Sequence, residues 1–359
     1  MKRIFTTLLT LAISIAVFAH DNANTVKIGV ILPLSGDNAA VGQPLIGSLK
    51  LFEKESAAKP YKNHYQLIVE DDQMMPRLTA EAANKLLYID HVNAIVTFGI
   101  ANGKLVAPMA AHLKVPMICV NASYPAIADG KTNFLHCPPV EDEAARLSGL
   151  MSRLHAKRAA FLTVNQPGIK SVIDKVEAQA KAQGIEVVAD MVYAPGERDF
   201  RTLMEMIGQK KPDIFVPTAL SPEIEIIFNQ RKQAGLTVPV VAYEVFNFME
   251  DKTPANGFYY VSPSIGTPEF KKRLLEKTGK ESAYCVAYVY DALDLFRQAF
   301  EKTNGQPEKV GQWLRGLKDY PAAVGPITTT PGGVIRSPIC IFQIRNGHPV
   351  EVSLEQINP

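Results

Sequence analysis

A strand-then-helix series runs through this chain and then starts again, and that repetition limits the fold more than any other feature. The first series opens on Val26-Lys27-Ile28-Gly29-Val30-Ile31-Leu32, an apolar run that reads as a buried strand and is broken by Pro33-Leu34-Ser35-Gly36. A helix is predicted over 42–56 and a strand over 65–69, stopped by Glu70-Asp71-Asp72. Pro76 then starts a helix whose apolar residues Leu78, Ala82, Ala83, Leu86 and Leu87 share one face. A strand over 94–98, a helix over 105–113 and a strand over 115–120 complete the series. The second series has strands over 159–164, 185–192, 213–217 and 238–242, with helices over 170–183, 200–209 and 223–234. Each series implies a parallel sheet covered by helices on both faces, so the reading is α/β with two Rossmann-like lobes.

Three segments read as crossings between the lobes: 133–140 with Pro138 and Pro139, then Val261-Ser262-Pro263-Ser264, then 328–333 with Pro331-Gly332-Gly333. Between the last two lie a long helix over 283–302 and a short one over 310–318. Three crossings make each lobe discontinuous in sequence and join the lobes by a three-strand hinge. The expected boundaries are 24–139 plus 264–328 for lobe one and 140–263 plus 329–359 for lobe two.

The chain begins with Met1-Lys2-Arg3 and an apolar run to Phe18 that ends in Val17-Phe18-Ala19, which reads as a signal peptide over 1–19, cleaved after Ala19. The run is shorter than the roughly 20 apolar residues of a spanning helix. No cysteine lies near the cut, so a periplasmic protein without a lipid anchor is expected. The mature chain of roughly 340 residues exceeds the ~250–300 at which a single core usually divides, in keeping with two lobes. Lysine plus arginine (38) nearly balances aspartate plus glutamate (36), which argues against a nucleic-acid partner. Cys119, Cys137, Cys285 and Cys340 allow three complete pairings, between which sequence does not choose.

No dinucleotide or phosphate-loop glycine pattern, zinc-protease motif or nucleophile elbow occurs, so no enzyme, cofactor or metal is expected. The acidic trio 70–72 reads as a strand end and turn cap. In an open parallel sheet ligands sit beyond the carboxyl ends of the strands. Those ends deliver Ser35 after the first strand, Ala101 and Asn102 after the third, and Asn121, Ala122, Ser123 and Tyr124 after the fourth. In the second series they deliver Asn165-Gln166, residues 218–221, and Tyr243 with Glu244. Unpaired N–H groups opening the helix after Gly99 suit a ligand carboxylate. Glu244 suits a ligand ammonium.

These residues resemble a known family. Lys27-Ile28-Gly29-Val30 with Pro33-Leu34-Ser35-Gly36 is similar to the leucine/isoleucine/valine-binding protein family, as are Glu70-Asp71-Asp72, Pro76, Ala80 and Ala83-Asn84-Lys85-Leu86. The match continues through Val115-Pro116-Met117-Ile118, Asn121-Ala122-Ser123, Asp199-Phe200, Arg231 with Gln233-Ala234-Gly235-Leu236, and Gly325-Pro326-Ile327. The resemblance implies the type I periplasmic-binding-protein fold and the role of ABC-transporter receptor, with a membrane permease as partner and a monomeric state. It implies that Ala101, Asn102, Ala122 and Ser123 hold the ligand's carboxylate and ammonium, and that Glu244 clamps the ammonium. The chain departs from the family where Ala101 replaces a serine, where Val41 stands near an expected aromatic, and where Asn165-Gln166 and Leu220 replace tyrosines. Relatives with altered pockets bind amides, urea or aromatic acids, and an exported sensor on the same fold is the further alternative.

Overall fold

The computed structural model describes residues 25–249 and 251–357. The expected signal segment over 1–19 lies outside them. The first sheet is built from β1 (Thr25–Leu32), β2 (His64–Asp71), β3 (Ala94–Phe98), β4 (Met117–Val120) and β5 (Asn133–His136), in the order 2-1-3-4-5 and all parallel. Its helices are α1 (Ala39–Gly42), α2 (Ile46–Ala58), α3 (Pro76–Asn84) and α4 (Ile100–Leu113). Strand alternation divides the side chains between two faces. Ile28, Val30 and Leu32 pack toward Leu51 and Phe52 of α2, whereas Ile31 and Ile95 pack toward Ala83 of α3 and Val106 of α4.

The second sheet repeats this order. It is made of β6 (Arg158–Val164), β7 (Glu186–Tyr193), β8 (Ile214–Thr218), β9 (Val241–Tyr243) and β10 (Tyr259–Pro263). A parallel bridge between Phe215 and Val240 carries the sheet from β8 toward β9. The helices α5 (Val140–Arg153), α6 (Pro167–Ala182), α7 (Arg201–Gln209) and α8 (Glu223–Gln233) cover it. The chain then returns to the first lobe for α9 (Pro268–Thr278), α10 (Val286–Thr303) and α11 (Pro307–Arg315). β11 (Tyr320–Ala322), β12 (Gly325–Thr329) and β13 (Val334–Arg336) extend the first sheet from β5, and β14 (Ile339–Arg345) and β15 (His348–Val352) finish the second. α10 is apolar on almost every side because it is enclosed, with Tyr288, Leu293, Phe296 and Phe300 all buried in the first core.

Three expectations need correction. β5 already occupies 133–136, so the first crossing is only Cys137-Pro138-Pro139. Residues 261–263 belong to β10, so the second crossing starts at Ser264. The third is displaced: Pro331-Gly332-Gly333 is the hairpin turn from β12 to β13, and β13 pairs with β5, so the chain leaves the first sheet at Ser337-Pro338 and not over 328–333. Helix α4 begins at Ile100 instead of 105, which puts Ala101 and Asn102 inside a helix. Helices α5 and α9 add to the elements expected from the sequence. All four thiols are free and buried.

The loop after β1 is held in place by a close approach. A Cβ on Gly42 would lie 1.8 Å from the Pro33 carbonyl oxygen. Gly42→Ala is therefore expected to push that loop off its seat and to cost about 3 kcal/mol in urea unfolding, the upper range for an overpacked core. An unchanged unfolding midpoint would show that the loop yields freely.

Candidate functional site

The strand ends of the two sheets face each other across a cleft, and a cavity of about 250 Å³ opens there. The first lobe contributes Ile100, Asn121 and Ser123 to its wall. The second contributes Gln166 from the end of β6, Thr218 and Leu220 from the end of β8, and Tyr243, Glu244 and Phe248 from the end of β9. Ile169, Val172 and Val245 make the rest of the wall apolar, and none of the lining residues is Lys, Arg or His.

Backbone geometry aims the central groups. Glu244 adopts the left-handed conformation at φ 47°, and its N–H donates to the Val261 carbonyl at 2.8 Å. That sharp turn off β9 sends the carboxyl into the interface between the lobes, where only 8% of the residue is exposed. Asn121 turns off β4 in the same left-handed way, at φ 56°. The hydroxyl of Tyr284 lies 2.9 Å from Asn121 Oδ1 and 3.0 Å from Glu244 Oε2, so one phenol touches both lobes. Its ring also meets Phe248 edge-on, with centroids 5.3 Å apart. Tyr284 is free to do this because α10 starts only at Val286, after Cys285 at φ 62°.

Burial outweighs hydrogen bonding from Tyr284 and Tyr243 and leaves the Glu244 carboxyl raised to about 7. No cation offsets that burial within the cavity wall. The site therefore presents an acid poised to ionise when a positive group arrives.

Of the residues expected at the site, Asn121, Ser123, Tyr243 and Glu244 stand together on the cavity wall. The others are placed elsewhere. Ser35 is tied to Asp71: its hydroxyl donates to the carboxylate, as do the N–H groups of Leu34 at 2.8 Å and Ser35 at 3.2 Å. Asn102 faces inward, donating to the Phe98 carbonyl at 2.9 Å and to Asp72, and accepting from Thr79 at 3.0 Å. Its side chain is used up in joining α4 to α3. Ala101 is exposed on the first turn of α4, and buried Ala122 lines a separate hollow behind the hinge. Tyr124 is exposed, with Lys104 Nζ 4.4 Å from its ring centroid. The acidic trio serves the fold: Glu70 pairs with Lys85 at 2.6 Å, Asp71 caps the β1 loop, and Asp72 anchors Thr79. Sequence reasoning missed Tyr284, Phe248 and the apolar positions of α6. None carries a local signal, because each reaches the cleft through tertiary placement.

Two doubly wound lobes, three crossings and a cleft walled by both lobes are the architecture of a two-lobed binding protein. The family model for periplasmic binding proteins matches residues 25–349. The chain belongs to that family. It is 26% identical over 352 residues to the Leu/Ile/Val-binding protein BraC3 of Rhizobium johnstonii, covering 92% of this chain and 94% of that one. The branched-chain amino acid transporter substrate-binding protein LivJ of Streptococcus pneumoniae, solved with isoleucine, matches at a TM-score of 0.77 and 21% identity, over 91% of this chain and all of that one (100%). A solute-binding protein of Rhodopseudomonas palustris, solved with 3,4-dihydroxybenzoic acid, matches at 0.76 and 22%, over 92% and 96%. At such identities the two structures bear on the fold alone.

Proposed function

We propose that this protein is the periplasmic receptor of a branched-chain amino-acid-type ABC transporter, exported by its cleaved N-terminal segment and acting as a monomer. It holds a zwitterionic amino acid or a related small polar solute between its lobes and delivers it to a membrane permease. The observation that carries this reading is Glu244: a buried acid with no cationic partner among the described residues, in a ligand-sized cavity. A ligand ammonium supplies the missing charge, while Ser123, Thr218 and Gln166 offer hydrogen bonds around it. The N–H groups opening α4 suit the carboxylate, and Ile169, Leu220 and Phe248 suit an apolar side chain. A ligand touching both lobes stabilises the closed form because only that form makes both sets of contacts. A micromolar ligand supplies about 8 kcal/mol, part of which is spent on closure.

The aromatic rings of Phe248 and Tyr243 on the cavity wall, with Tyr284 beside them, favour a second reading, an aromatic carboxylate stacked among them. The absence of any lining Lys, Arg or His weighs against it. Thermal-shift measurements against amino acids, amides, urea and aromatic acids separate the two. An amino acid is expected to raise the melting temperature, since a ligand that binds only the native state must do so. A response confined to aromatic acids or amides would replace the amino-acid reading and leave the receptor class standing.

A further inference from the structure

Tyr284 reaches from the first lobe to the second within the cleft itself. Its ring packs against the first core, just ahead of α10. Its hydroxyl lies 2.9 Å from Asn121 Oδ1 on its own lobe and 3.0 Å from Glu244 Oε2 on the other. The ring stands edge-on to Phe248, which also belongs to the second lobe, with centroids 5.3 Å apart. Both cross-lobe contacts join protein to protein. A carboxyl group has two oxygens, so Glu244 accepts from Tyr284 at Oε2 and keeps Oε1 for a solute. Arg336 and Asp142 join the lobes as well, but their side chains are 50% and 29% exposed, where a charged pair contributes little.

A hydrogen bond is short-ranged, and at about 3.6 Å it is no longer one. A turn of the lobes that parts Tyr284 from Glu244 by roughly 0.6 Å therefore breaks this link. The contact is made when the strand ends meet and lost when they separate. We propose that Tyr284 is a latch between the lobes: its hydrogen bond to Glu244 and its ring contact with Phe248 draw the lobes together before any solute arrives, so the empty protein is closed for part of the time. That closed fraction enters every affinity, because apparent affinity scales with the population of the form that binds. Tyr284 is a positioning residue in this scheme, and it strengthens capture by one common factor whatever side chain the solute carries. The inference rests on the cleft being the binding site and not on which solute fills it.

Small-angle X-ray scattering of the empty protein tests the latch without any ligand. Tyr284→Phe keeps the ring and removes the hydroxyl alone, so it is expected to show a larger radius of gyration than wild type. Equal radii for the two empty proteins overturn the proposal. Phe248→Ala removes the ring contact instead and should enlarge the empty protein in the same way, which covers the case in which Tyr284→Phe does not fold. Calorimetric titration reads the consequence. Loss of the hydroxyl is expected to weaken L-leucine and L-threonine alike, by about tenfold. Unchanged affinities overturn the proposal. So does a loss more than about threefold greater for one amino acid than for the other, since Tyr284 would then be reading the solute's side chain. If neither amino acid gives heat with wild type, the amino-acid reading of the cleft fails, while the scattering comparison still decides the latch.

Discussion

Replacing Glu244 by glutamine is expected to abolish capture of a zwitterionic amino acid while making the empty protein more stable at alkaline pH. The binding loss follows from removing one partner of a buried charged pair, which typically costs 2–5 kcal/mol, or about a hundredfold in affinity. The gain in stability has the opposite origin. Burial pushes the Glu244 carboxyl from 4.5 up to about 7 in the folded chain. Below pH 4.5 the acid is neutral in both folded and unfolded chains and carries no penalty. As pH rises from 4.5 to 7 the unfolded chain sheds this proton first, so folding loses stability, and the loss levels off above 7 at roughly 3 kcal/mol. Glutamine never ionises and escapes it. Urea unfolding should show wild type and Glu244→Gln close together at pH 4.5, with the variant ahead at pH 8. A gap that fails to open over that range would mean that Glu244 ionises freely in the empty cleft.

The second large effect is expected at Asp291. This aspartate of α10 is buried and receives the N–H of Ala323 at 2.6 Å, the N–H of Val324 at 3.0 Å and His136 Nε2 at 3.4 Å. It ties the approach to β12 and the last residue of β5 to one helix. Asp291→Leu keeps similar bulk but strands two backbone donors and an imidazole in the interior. At 1–3 kcal/mol for each buried group left unpaired, the loss is roughly 4 kcal/mol or more. His136 is followed directly by the first crossing, so the damage should reach the hinge. Hydrogen exchange at the Ala323 and Val324 amides is expected to speed up along with the drop in unfolding free energy. Unchanged exchange would mean that these amides owe their protection to other contacts.

The parts of the fold that are local in sequence are legible there. Continuous apolar runs place β1, β3 and β6, and the strand-end rule leads to Asn121, Ser123, Tyr243 and Glu244, because each lies at the end of its strand or within a few residues after it. The same rule misplaces Asn102: Gly99 turns straight into α4, and a residue three positions into that helix faces Asp72 and Thr79, not the cleft. Helix α9 carries its signals plainly, with Thr267 accepting from the Phe270 N–H, Pro268 at its first position and Gly279 closing it at φ 69°. Apolar periodicity alone passes over it. The third crossing fails for another reason. A Pro-Gly-Gly run marks a reversal of the chain equally well inside a lobe or between lobes, and here Thr330 N–H closes a hairpin onto Val334 at 2.8 Å. Tyr284 lies 40 positions from Glu244, and nothing short of the fold brings such residues together.

The crossings at Cys137-Pro138-Pro139, Ser264 and Ser337-Pro338 run side by side. Ser264 N–H donates to the Pro338 carbonyl at 3.2 Å, and Arg336 beside the third crossing grips Asp142 beside the first. In mechanical terms this is a flexure. A single tether lets two bodies tumble in any direction, whereas three strips abreast bend easily along one line and resist both torsion and sliding. The lobes then have one soft coordinate, and the occupancy of the cleft is written into a single angle. A partner spanning both rims needs to gauge only that angle, whatever the solute inside.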